Sequence, residues 1–123
     1  MKTKEITVRF INETLCETLD AFEKELTKLE QKKNEIPDRR DTLASLKPLA
    51  EFTEISLRCA QLIESISLLF EDATKQACFH IANGEYDKFK KDKKQLQETN
   101  KIYERYRRLI KVYNKILNGI ETK

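Results

Sequence analysis

Apolar residues recur along most of the chain with the period of a helix. Leu15, Leu19, Phe22, Leu26 and Leu29 are separated by four, three, four and three residues, the spacing of a coiled-coil seam. They predict a first helix over 12–35, with Asn12 as its N-cap and a net acidic flank of Glu13, Glu17, Asp20, Glu23 and Glu25. Ahead of it, Ile6, Val8 and Phe10 alternate with Thr7 and Arg9, a period of two that predicts a short strand or an extended arm.

Pro37 ends the first helix and begins a connector over 36–47, with a short helical turn expected between Asp38 and Leu46. Pro48 fits the first turn of a second helix over 48–83, because a residue there has no intrahelical partner for its N–H. Its seam reads Phe52, Cys59, Ile63, Ile66, Phe70, Ala73 and Ala77, widened by Ile55, Leu62 and Leu69. Asn83 and Gly84 supply a left-handed stop. A third helix over 85–118 carries Tyr86, Phe89, Leu96, Tyr103, Tyr106, Ile110, Tyr113, Leu117 and Ile120 at three- and four-residue spacing. Lys93 and Asn100 interrupt that seam, and Ile102, Leu109, Val112 and Ile116 broaden its C-terminal half.

These segments predict one all-α domain over 1–123: an elongated antiparallel three-helix bundle with coiled-coil-like packing and a short N-terminal extended arm. The first helix is about ten residues shorter than the other two. The hairpin tip from Ala73 to Leu96 is therefore expected to protrude, unless residues 6–10 cover it.

Composition narrows the choices. Two Gly and two Pro cannot punctuate a sandwich or barrel, and they leave no Gly-rich loop for a phosphate. A charged fraction of 37% would suit a disordered polyampholyte, but the regular apolar period supplies the buried face that such chains lack. The net charge of +3 is too small to argue for nucleic acid or lipid. Its distribution is uneven: residues 1–84 hold 12 basic and 15 acidic groups, net −3, and residues 85–123 hold 12 and 6, net +6. The longest uncharged stretch, Gln76 to Gly84, has nine residues, so no membrane span is expected, nor is a secretory leader. Cys16, Cys59 and Cys78 are odd in number and widely spaced, which points away from a disulfide framework and toward a cytoplasmic location.

The residues for catalysis do not converge. His80 is the one histidine; Cys78 lies on a different helical face, and Cys59 lies about 30 Å away along the axis. Only Cys16 could reach His80 across the bundle, so His80 is expected to be a half-buried helix-end residue. No compact zinc spacing exists, and position 77, where an inward di-iron motif would need Glu, is Ala. The expectation is no catalytic residue, no metal and no cofactor: a protein that is not an enzyme.

Two surfaces remain as binding candidates. On the third helix Lys90, Lys94, Lys101, Arg105, Arg108 and Lys115 form a basic stripe that could track phosphates, although Glu104 can pair with Arg108. On the second, Leu57, Leu68 and Phe79 recur every 11 residues, three turns plus about 20°, nearly opposite the seam. Either the neighbouring helices straddle and bury this line, or it is exposed for a partner. Leu57, Leu68, Phe79, Tyr86 and Phe89 are the candidate partner-binding residues. The expected function is protein–protein interaction through apolar helix faces, as an adaptor, a chaperone or a small phage-type inhibitor of a host protein, acting as a homodimer or on another protein. The alternative is a nucleic-acid-binding protein that uses the basic stripe.

Overall fold

The computed structural model describes residues 7–37 and 43–121, with side chains through Gly119. Three helices fill it: α1 (Val8–Glu35), α2 (Leu46–Ala82) and α3 (Tyr86–Glu121), with a single 3-10 turn, Leu43–Ser45, before α2. At 1.5 Å per residue they are about 42, 55 and 54 Å long. The chain runs up, down and up, as the periodicity predicts.

The start of α1 differs from expectation. Thr7, not Asn12, is the N-cap: its backbone is extended and its Oγ1 accepts the Phe10 N–H at 3.1 Å. Val8 and Ile11 are buried and extend the seam backward with the same three- and four-residue step. The apparent alternation is therefore the first turn of a helix, with Val8 facing inward and Phe10 outward; Ile6 lies outside the described residues. Asn12 has a tertiary role instead. Nearly buried, it donates from Nδ2 to the Gln95 carbonyl at 2.9 Å and accepts the Thr99 hydroxyl on Oδ1 at 2.6 Å.

Pro48 is the third residue of α2, inside the first turn, where its missing N–H breaks no helical bond. Residues 38–42 of the connector lie outside the described residues. The α2–α3 turn is a Schellman stop. Gly84 takes φ +69°, its N–H reaches the Ile81 carbonyl at 3.0 Å, and the Glu85 N–H reaches that of His80 at 2.9 Å. The Glu85 carbonyl then accepts the Phe89 N–H at 3.0 Å and begins α3.

The packing is unequal. From α1, Val8, Ile11, Leu15, Leu19, Phe22, Leu26 and Leu29 are all shielded from water, each contributing about 1.5–3 kcal/mol of burial. From α2, Phe52, Ile55, Cys59, Ile66, Ala73 and Ala77 meet them. From α3, Ile116 is the one fully buried apolar side chain among the described residues. Its predicted seam, Leu96, Tyr106, Ile110, Tyr113 and Leu117, is only partly buried, and Tyr103 is exposed. The α2–α3 pairing is the least intimate of the three. It runs through bulky aromatics: Phe70 meets Tyr103 edge-on at 5.3 Å, and the Ser67 and Tyr106 hydroxyls lie 3.4 Å apart. Rings and hydroxyls hold two helices farther apart than leucines would.

Ion pairs hold the edges of α1. Glu25 meets Arg58 at 3.2 Å and Lys32 meets Glu51 at 2.5 Å on the α2 side, while Arg105 of α3 reaches both Asp20 and Glu23. Because α1 starts four residues before its predicted boundary, Thr7 and Val8 reach the level of His80 and Asp92 and border a common pocket with them. The hairpin tip thus protrudes less than the predicted lengths imply.

Candidate functional site

The 11-residue line on α2 is exposed. Leu57, Leu68 and Phe79 lie opposite the buried Cys59, Ile66 and Ala73, and neither α1 nor α3 covers them. Because α2 begins at Leu46, this residue continues the line by one further step of 11. The four side chains are between 54% and 61% exposed, a row about 50 Å long with one large apolar group every three turns. Polar residues stand between them. Glu64 is exposed, and Glu71 pairs with Lys75 at 3.0 Å, which holds the Lys75 ammonium above its ordinary pKa. At its far end, Phe79 lines a groove of about 370 Å³ with Ile11, Asp72, Lys75 and Gln76. Phe10 is exposed on the facing end of α1.

Tyr86 and Phe89 open α3, just past the turn; Tyr86 is exposed and Phe89 half-buried. They begin a different apolar feature. Phe89, Leu96, Tyr103, Ile110 and Leu117 recur every seven residues, and none is fully buried. Ile63 and Phe70 of α2, also seven apart, are partly buried against the core beside them. The hairpin therefore has an open apolar face in addition to the α2 row.

The basic stripe is interrupted at its centre. Arg105 lies 2.7 Å from Asp20 and 2.8 Å from Glu23, which hold its guanidinium yet more firmly protonated, Glu23 first and then Asp20. It is a strut between α3 and α1. Lys101 pairs with Glu98 at 3.3 Å, and Glu104 pairs with Arg107 at 3.6 Å rather than with Arg108. Lys90, Lys94, Arg108 and Lys115 are exposed and make no ion pair among the described residues.

His80 is buried, not half-buried: it is 4% exposed, and its Nδ1 faces the carboxylate of Asp92 in a short contact. Its Nε2 lies 3.4 Å from Gln76. The hairpin register produces this pair: His80 lies one turn before the 83–85 turn and Asp92 two turns after it. Above it lies a pocket of about 440 Å³ lined by Thr7, Arg9, Lys88, Lys91, Lys94 and Gln95 among others. The imidazole is held by a carboxylate, and among the described residues no cysteine lines its pocket: Cys16 lines a separate groove with Arg9, Asn12 and Glu13. Cys59 is buried, and its thiol is pushed up to about 11, first by desolvation and then by Glu25, so it stays protonated at neutral pH. Among the described residues no group of three His, Cys, Asp or Glu is placed to hold a metal, and no helix is long and apolar enough to cross a membrane.

Compared with known proteins, the chain matches no family model, no curated protein and no solved structure.

Proposed function

We propose that the protein is a non-enzymatic interaction module that binds another protein through apolar helix faces, in the manner of an adaptor, a chaperone or a small inhibitor of a host protein. The observation that carries this reading is the exposed row of Leu46, Leu57, Leu68 and Phe79 along one side of α2. Stability gains nothing from large apolar groups in water, whereas a row of evenly stepped anchors fits a partner's extended surface. Cys16 and Cys78 are exposed free thiols, which supports a reducing, cytoplasmic workplace. The nucleic-acid alternative has less behind it, because Arg105, at the middle of the basic stripe, is committed to Asp20 and Glu23.

The test is affinity capture from the native host with the full chain, beside the double variant Leu68→Glu, Phe79→Glu. Both positions are more than half exposed, so the variant keeps its fold to within about 0.5 kcal/mol per site. A specific partner that is captured by the native chain and lost by the variant supports the reading. A partner retained by the folded variant overturns it, and so does capture of nucleic acid alone that falls steeply with salt.

A further inference from the structure

We infer that the open face of the α2–α3 hairpin is a self-association surface, on which a second copy of this chain docks its own α2–α3 face to close a four-helix core. This face borders the α2 row, and Glu64 and Glu71 stand on the edge the two share. Its centre is the run Phe89, Leu96, Tyr103, Ile110 and Leu117, a strict repeat of seven over 28 residues or about 42 Å. A repeat of seven keeps an apolar seam against a neighbouring helix along its whole length. Here α2 takes one flank of that seam and leaves the other open: every member is half-buried or exposed, and Tyr103 is 45% exposed. On α1, by contrast, the equivalent seam is sealed from end to end.

Charge identifies the occupant. The outer rim of α3 carries Lys93, Asn100, Arg107 and Asn114, also every seven residues and all exposed. The outer rim of α2 carries Glu64 and Glu71, one turn to either side of Ser67, the residue that meets Tyr106. One edge is acidic and the other basic, so the face is complementary to itself, the property a two-fold interface requires. The contacts Ser56–Tyr113 and Ser67–Tyr106 set the heights, and by interpolation they put Glu64 within one residue, about 1.5 Å, of the height of Arg107. A two-fold axis along the bundle then lays α2 of one copy antiparallel to α3 of the other, with Glu64 beside Arg107 of the partner subunit. The two basic α3 helices fall on the diagonal, where they repel least. Arg107 is free to exchange, since its own pair with Glu104 is long and solvent-exposed.

The experiment is light scattering of the full chain over a concentration series, with circular dichroism on every sample. The native chain gives twice its 14.5 kDa mass. Glu64→Arg and Arg107→Glu each place two like-charged pairs in the dimer and weaken it about tenfold or more. An equimolar mixture of the two variants recovers the dimer, because the mixed pair restores attraction at both sites. A native chain that stays monomeric throughout, single variants that dimerise as well as the native chain, or a mixture that recovers nothing overturns the inference.

Discussion

Leu19 on α1 and Tyr103 on α3 both sit in seams of three- and four-residue spacing, the second interrupted at Lys93 and Asn100, yet the first is sealed from water and the second is nearly half exposed. Periodicity establishes that a helix has an apolar face; it does not establish what covers that face. The α1 stripe is narrow and built of leucines, with one Phe, and it fits the groove between two longer helices. The α3 stripe is built around tyrosines whose hydroxyls must stay hydrogen-bonded, so α2 and α3 meet through Ser56–Tyr113 and Ser67–Tyr106 contacts and leave one flank open. The bundle is a closed core on one side and an unfinished one on the other.

The sharpest way to break that contrast is to truncate one residue from each region. Phe22→Ala should cost about 3–5 kcal/mol of unfolding free energy, and Ile110→Ala only about 1–2, measured by urea denaturation of the chain at a concentration where it is monomeric. Equal losses would mean that the two regions are packed alike. Asn12→Ala should cost about 1–3 kcal/mol by the same measurement, because it removes two hydrogen bonds from a buried site and leaves the Thr99 hydroxyl only the Gln95 carbonyl, at 3.1 Å. A loss within error would show that water replaces Asn12 freely.

A smaller effect depends on pH. The Cys59 thiol ionises near its ordinary value of 9.0 in the unfolded chain, but near 11 in the fold. Below about 9 both states hold the proton and the group leaves stability level. Between about 9 and 11 the unfolded state alone loses it, so stability falls as pH rises. Tyr and Lys titrate in the same window, so the comparison is with Cys59→Ala: the alkaline slope of its melting temperature should be shallower than that of the native chain. Identical slopes would mean that water reaches Cys59. Smallest of all is Arg105→Ala, expected to cost about 0.2–1 kcal/mol in thermal melts at low salt, and less at high salt, as befits a partly exposed strut.

Much of the fold was legible in the chain. The α1 seam, Pro48 in the first turn of α2 and the Asn83–Gly84 stop each rest on local chemistry, and each is found in place. What was not legible depends on neighbours. Thr7 and Asn12 are both competent caps, and the choice falls to Thr7 because Val8 and Ile11 find burial and Asn12 finds Gln95 and Thr99. Asp92 reads as one more solvated charge until the hairpin register sets it against His80. Arg105 belongs to a basic stripe by spacing alone, and only the packing of α1 brings Asp20 and Glu23 to it. Leu46 is one step of 11 ahead of Leu57, a signal present in the chain but masked by a helix boundary placed at Pro48. The exposure of Leu57, Leu68 and Phe79 likewise required the positions of α1 and α3, which periodicity leaves open.

The most direct test of an unfinished core is a single substitution at its open flank, Tyr103→Glu, followed by solution mass and helical content together. The mass should halve relative to the native chain at the same concentration, while the circular dichroism spectrum keeps its helical signal. A mass unchanged by the charge, or a native chain already at 14.5 kDa, would contradict it.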